Sequence, residues 1–130
     1  MRFLISIIFI NFSWQLTSQI HFYKLFSGSG YDRAEGITQL ADSSYLITGS
    51  SSSWSENSDV FLLHLDSLGN YLWSKNYGGF ESDGGKRIMH NNDLGVFISG
   101  HSNSFNASGD YDALLLKTDF DGNEQWGKTY

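Results

Sequence analysis

The chain has no cysteine and no proline among its 130 residues. Without cysteine there is no disulfide framework, no thiolate nucleophile and no thiolate metal ligand. Without proline, the punctuation of the chain falls to Gly, Asn, Asp and Ser. Long hydrophobic runs are missing too. Residues 3–10, interrupted by Ser6, form an apolar stretch far short of the roughly 20 residues that span a bilayer, so no transmembrane segment is expected. Basic residues are scarce, 8 Lys+Arg against 14 Asp+Glu, which argues against a nucleic-acid backbone or an anionic lipid surface as partner. The four histidines, His21, His64, His90 and His101, fall into neither H-x-x-x-H nor H-E-x-x-H spacing. No G-x-S-x-G elbow occurs. Gly28-Ser29-Gly30 and Gly78-Gly79 precede strand patterns rather than helices, which removes the phosphate-cradling reading.

What is present is fourteen glycines and twenty-one Phe, Tyr and Trp residues. Aromatic and β-branched residues broken by Gly, Asn, Asp and Ser predict an all-β chain of strands and turns. The first residues read as a signal peptide, 1–18: Arg2 supplies the positive charge, residues 3–10 the apolar core, and Leu16 and Ser18 the −3 and −1 positions of a cleavage before Gln19. All fourteen acidic residues follow it, so the expected mature chain carries 7 Lys+Arg and a net charge near −7. A secreted or cell-surface location follows as an expectation.

The decisive feature is an internal repeat. Residues 24–54 align without gaps on 75–105 at an offset of 51, matching Lys24 with Lys75, Gly28 with Gly79, Asp32 with Asp83, Asp42 with Asp93 and Gly49 with Gly100. After a two-residue insertion the offset is 53. Asp59 then falls on Asp112, Asp66 on Asp119, Gly69-Asn70 on Gly122-Asn123, Trp73 on Trp126 and Tyr77 on Tyr130. Each copy, about 28–78 and 79–130, divides into four expected strands: 35–40, 45–48, 60–65 and 71–77, then 86–90, 96–99, 113–118 and 124–130. A lone strand at 22–26 makes nine. The third strands are continuous apolar runs (Val60, Phe61, Leu62, Leu63; Ala113, Leu114, Leu115, Leu116), the pattern of a strand covered on both faces. Trp73 and Trp126 are expected to be largely buried against their own or an adjacent unit.

The pattern Lys117-x-Asp119-x-x-Gly122-Asn123-x-x-Trp126-x-Lys128-x-Tyr130, with Asp93, Gly95 and Phe97 to Gly100, resembles the β-propeller-type repeats of bacterial secreted and surface proteins, many of which carry a type IX secretion sorting domain. It covers residues 22–130. The resemblance implies two consecutive four-stranded antiparallel blades plus one N-terminal strand, 19–130 being part of a larger propeller. Remaining blades of the same chain are then its nearest partners, and residues 19–130 alone are expected to self-associate. Asp66, Gly69 and Trp73 also resemble the tryptophan-docking motif of quinoprotein propellers, with the acid-to-glycine spacing one residue short, and nothing matches the residues that hold the quinone. Kelch repeats have a similar length, but here Gly49 and Gly100 are single where kelch glycines are paired.

Candidate chemistry is sparse. Asp119, Asp121 and Asn123 space oxygen ligands around a glycine turn, an arrangement that can cradle Ca²⁺. A plain Asx-type hairpin turn is the competing reading, since Leu68 replaces Asp121 in the first copy and no glutamate stands at a twelfth loop position. The recurrence of Asp32/Asp83, Asp42/Asp93 and Asp59/Asp112 favours turn capping over catalysis, which needs its acid once per site. Asn106-Ala107-Ser108 matches a glycosylation acceptor, to which the bacterial resemblance gives no use. No catalytic residue and no cofactor apart from Ca²⁺ is expected. The expected function is a non-catalytic exported scaffold or binding module making carbohydrate or protein contacts through loops. The alternatives are part of a propeller enzyme, glycan-active or quinone-dependent, with its site in other blades, and a structural spacer in a large surface protein.

Overall fold

The computed structural model describes residues 24–105 and 108–130. The signal-peptide segment, Phe22 and Tyr23 of the expected first strand, and Asn106-Ala107 of the acceptor pattern lie outside the described residues. Eight strands occur in chain order: β1 (Asp32–Gln39), β2 (Tyr45–Ser51), β3 (Asp59–Leu65), β4 (Tyr71–Tyr77), β5 (Asp83–Asn91), β6 (Gly95–Ser102), β7 (Asp112–Thr118) and β8 (Glu124–Thr129). They form two four-stranded antiparallel sheets, β1-β2-β3-β4 and β5-β6-β7-β8, each made of consecutive strands. The chain is therefore all-β, with two blade-like units in tandem. Among the described residues no helix is long and apolar enough to cross a membrane.

The two units repeat down to their irregularities. The first strand pair shifts register between Ala34 and Gly36 in one unit and between Gly85 and Arg87 in the other. The bulged residues, Glu35 and Lys86, then meet across the units, Nζ to Oε1 at 2.9 Å. The Lys86 hydrogen bond, with the Arg33 guanidinium 3.1 Å away, holds the Glu35 carboxyl below its usual range. A side-chain carbon on Gly49 would run into the carbonyl oxygen of Arg33, and one on Gly100 into that of Gly84. Only glycine fits opposite each bulge, which gives the repeated Gly49 and Gly100 their reason.

The first strands begin three residues earlier than the sequence pattern indicates, at Asp32 and Asp83. Those added residues are charged, glycine or the small Ala34, and so carry no alternating apolar signal. Gly84-Gly85 packs directly on the first unit, where a carbon on Gly85 would meet Thr48 Oγ1 and Val60 Cγ1.

Packing is face to face. Leu46, Val60 and Leu62 of the first unit form one buried core with Val96, Ile98, Leu114 and Leu116 of the second. The opposite face of the first unit buries Phe61, Leu63 and Leu65, with Phe26, Tyr45 and Ile47 packed on them. β3 is thus covered on both sides, as its apolar run requires. β7 differs: Leu114, Leu116 and Thr118 are buried, while Leu115 and Lys117 are half-buried and Ala113 is exposed.

Residues 24–26 form no strand among the described residues. They nonetheless repeat the seam between the units. Lys75 Nζ donates to Asn123 Oδ1 (2.7 Å) in the hairpin of the second unit, and Lys24 Nζ donates to the matching Asn70 Oδ1 in the first. The Gly79 amide donates to Asp83 Oδ2 and the Gly28 amide to Asp32 Oδ2, both at 2.8 Å. Residues 24–28 therefore lie against the first unit as residues 75–79 lie against the second.

Candidate functional site: a loop edge with exposed aromatics

At one edge of the units lie the long connections: residues 24–31 before β1, 52–58 between β2 and β3, 78–82 between β4 and β5, and the described residues 103–105 and 108–111 between β6 and β7. They touch one another in series. The Ser52 amide donates to Tyr31 O (2.9 Å), Asn57 Nδ2 to Phe80 O (2.6 Å), the Glu81 amide to Ser104 Oγ (3.0 Å) and the Asn103 amide to Ser82 O (3.1 Å). Five aromatic side chains project from this edge into solvent: Tyr31, Trp54, Phe80, Phe105 and Tyr111. Phe80 is 94% exposed and Trp54 54%. Burial would have stabilised each by a few kcal/mol, yet all five are left largely in water on the loops of one edge. Trp54 and Phe105 occupy matching positions of the repeat.

Serine–aspartate locks hold these loops. Asp32 accepts the hydroxyls of Ser51 and Ser53, the latter at 2.8 Å, and Asp83 accepts that of Ser104 at 2.7 Å. Ser55 Oγ donates to Asp59 Oδ2 at 2.7 Å. His101 stacks edge-on to Tyr111, ring centroids 5.1 Å apart. Burial, reinforced by the charge of Lys86, pushes its pKa down, which favours the neutral ring beneath the loop. The sequence pattern marked the aspartates as strand-flanking but not the aromatics between them, because single exposed aromatics leave no periodic signal.

No known protein-family model matches the chain, and no curated protein matches it.

The other candidate residues cluster at the hairpins. Asp66 Oδ1 accepts the amides of Leu68 (2.8 Å) and Asn70 (2.7 Å), and Oδ2 accepts Asn70 Nδ2 (2.7 Å). Asp119 does the same with Asp121 (3.0 Å), Asn123 (2.7 Å) and Asn123 Nδ2 (2.8 Å). Gly69 and Gly122 sit at φ 73° and 74°, the left-handed conformation the turn needs. The hairpin closes identically where Leu68 replaces Asp121, and Asn123 Oδ1 is taken by Lys75. Among the described residues no three His, Cys, Asp or Glu side chains converge as a metal cluster.

The backbone and side-chain bonds from Asn70 hold the Asp66 carboxyl below its ordinary pKa, and the side chain and amide of Asn123 do so for Asp119. A depressed folded-state pKa contributes stability above the unfolded value, near 3.9, that is lost as pH falls through the folded value. The Asn70 and Asn123 amide resonances are accordingly expected to titrate with midpoints below about pH 3.9. Midpoints at or above that value in an NMR titration would contradict the capped-turn geometry.

Trp73 and Trp126 are half-buried rather than largely buried. Trp73 lies edge-on to His64, centroids 5.1 Å apart, packs on the shared core and rests on Gly122 of the second unit. Its outer side carries Lys75 Nζ, 5.9 Å from the ring centroid, which keeps it partly in water. Trp126 packs on Phe97 of its own unit, with Lys128 over its ring. His64 is half-buried, with Nε2 2.9 Å from Ser44 Oγ. Asp42 binds the same serine at 2.5 Å. The carboxylate thus faces the hydroxyl instead of the imidazole, the reverse of a hydrolytic triad.

Proposed function

We propose that the chain is a non-catalytic exported binding scaffold of the β-propeller type, whose tandem units are blades and whose aromatic loop edge contacts carbohydrate. The observation behind this reading is the exposure of Tyr31, Trp54, Phe80 and Phe105 on neighbouring loops of one edge, held by Asp32, Asp59 and Asp83. Flat, rigid aromatic faces flanked by serine hydroxyls and asparagine amides match the apolar faces and hydroxyls of neutral sugars. Aromatics offer contact area at low entropic cost. The recurrence of one seam geometry at residues 24–28 and 75–79 supports the stacked-blade part, since a repeated interface is how such units bury both faces.

The chain beginning at Gln19 is expected to bind immobilised neutral polysaccharide. Trp54→Ala and Phe105→Ala should each weaken binding about tenfold, the size of a modest hot spot, with melting temperature unchanged. A panel of neutral polysaccharides bound no better than by an unrelated protein would overturn the carbohydrate assignment.

A further inference from the structure

At the seam between the units two aspartates face each other with no basic partner. Asp59 opens β3 and Asp83 opens β5, and the Asp83 amide bonds Ser58 O at 2.6 Å. Asp59 is 5% exposed and Asp83 1%. Among the described residues, the ion pairs are Arg33–Glu35 and Lys86–Glu35, so neither aspartate is in one. One oxygen of each is committed: Asp59 Oδ2 to Ser55 Oγ and Asn76 Nδ2 (3.4 Å), Asp83 Oδ2 to the Gly79 amide and Ser104 Oγ. Asp59 Oδ1 and Asp83 Oδ1 are buried without a hydrogen-bond partner. Between the carboxylates stands Gly78. A side-chain carbon there would collide with Asp59 Oδ1 and lie 2.7 Å from Asp83 Oδ2, so both oxygens fall within 2.7 Å of one point. Gly78 and Asp83 also line a cavity of about 320 Å³ with Glu124 and Lys128, which gives the site an approach from solvent.

We propose that Asp59 and Asp83 together bind one hard divalent cation, Ca²⁺ by preference, bridging the two units beneath the loop edge. Two buried carboxylates this close, each with one oxygen lacking a hydrogen-bond partner and neither facing a basic group, favour a compensating positive charge. An all-oxygen site selects Ca²⁺ or Mg²⁺ over softer metals. Oxygens sharing one Ca²⁺ at about 2.3–2.6 Å lie no more than about 5 Å apart, which Asp59 Oδ1 and Asp83 Oδ2 satisfy, with the unpartnered Asp83 Oδ1 on the same carboxylate. Ca²⁺ completes its shell with hydroxyls, carbonyls and water, so two carboxylates suffice for weak binding. The site is distinct from the Asp119 hairpin, and it stands whatever the loop edge binds.

The test is thermal unfolding of the chain from Gln19 in EDTA, then in about 10 mM CaCl₂ or MgCl₂. For an affinity in the range of extracellular Ca²⁺ modules, about 0.1–1 mM, the melting temperature should rise by roughly 6–12 °C with Ca²⁺. Asp59→Asn removes the repulsion. It should therefore melt no lower than the parent in EDTA and show no Ca²⁺ response, while Asp119→Asn keeps the full response. Two results would overturn the proposal. One is no shift with either cation. The other is a shift lost in Asp119→Asn but kept in Asp59→Asn.

Discussion

Leu62→Ala is expected to lower the unfolding free energy by about 2–5 kcal/mol, whereas Leu115→Ala at the matching position of the second unit should cost less than half as much. The two leucines occupy the same place in the repeat. Leu62 is fully buried, 0% exposed, between its own sheet and Val96, Ile98 and Leu116 of the next. Leu115 lies on the face of the second unit that no described residue of another unit covers, and it is half-buried. Truncating a fully buried leucine loses its transfer free energy and leaves a cavity. A half-exposed one loses part of the first and little of the second. Urea denaturation of both variants measures the difference. Equal losses would mean the seam does not hold the two units together.

That contrast also marks what could be read from the sequence. The repeat places every strand in order, and β4 (Tyr71–Tyr77) matches its expected limits because Tyr71, Trp73 and the Asp66–Asn70 turn bound it clearly. The apolar run 60–63 gives a strand buried on both faces. In the second unit the same pattern, Ala113 to Leu116, gives a strand buried on one face only, because coverage depends on the neighbour and not on the strand's own residues. The seam was legible in part. Trp73, Gly122, Lys75 and Asn123 were visible as repeated positions, but their meeting across units depends on the packing of two sheets. In the sequence Asp59 and Asp83 are two separate recurring acids, 24 residues apart. Nothing in a linear pattern says that the start of one unit's third strand meets the start of the next unit's first.

Gly122→Ala is expected to cost about 2–4 kcal/mol, against about 1–2 kcal/mol for Gly109→Ala, although both glycines have nearly the same backbone conformation, φ 74° and 75°. At Gly109 an added carbon meets no described residue within 4 Å, so the left-handed strain is what is felt. At Gly122 the carbon would stand 2.9 Å from Cη2 and Cζ3 of Trp73 and 3.0 Å from Lys75 Cδ. The indole is held by the shared core and by His64, and it cannot retreat without opening the seam. Moving the hairpin instead would break the bond from Tyr77 Oη to Gly122 O (2.7 Å) and that from Lys75 to Asn123. Tyr77 is half-buried at this contact, and burial, with the charges of Asp119 and Glu124, pushes its phenol pKa up, so the hydroxyl stays protonated and donates. Strain and displacement should therefore add at Gly122. A double-mutant cycle separates them: in a Trp73→Leu background the smaller side chain makes room, and the cost of Gly122→Ala should fall to that of Gly109→Ala. Equal costs in both backgrounds would show that Trp73 does not dock on the hairpin of the following unit.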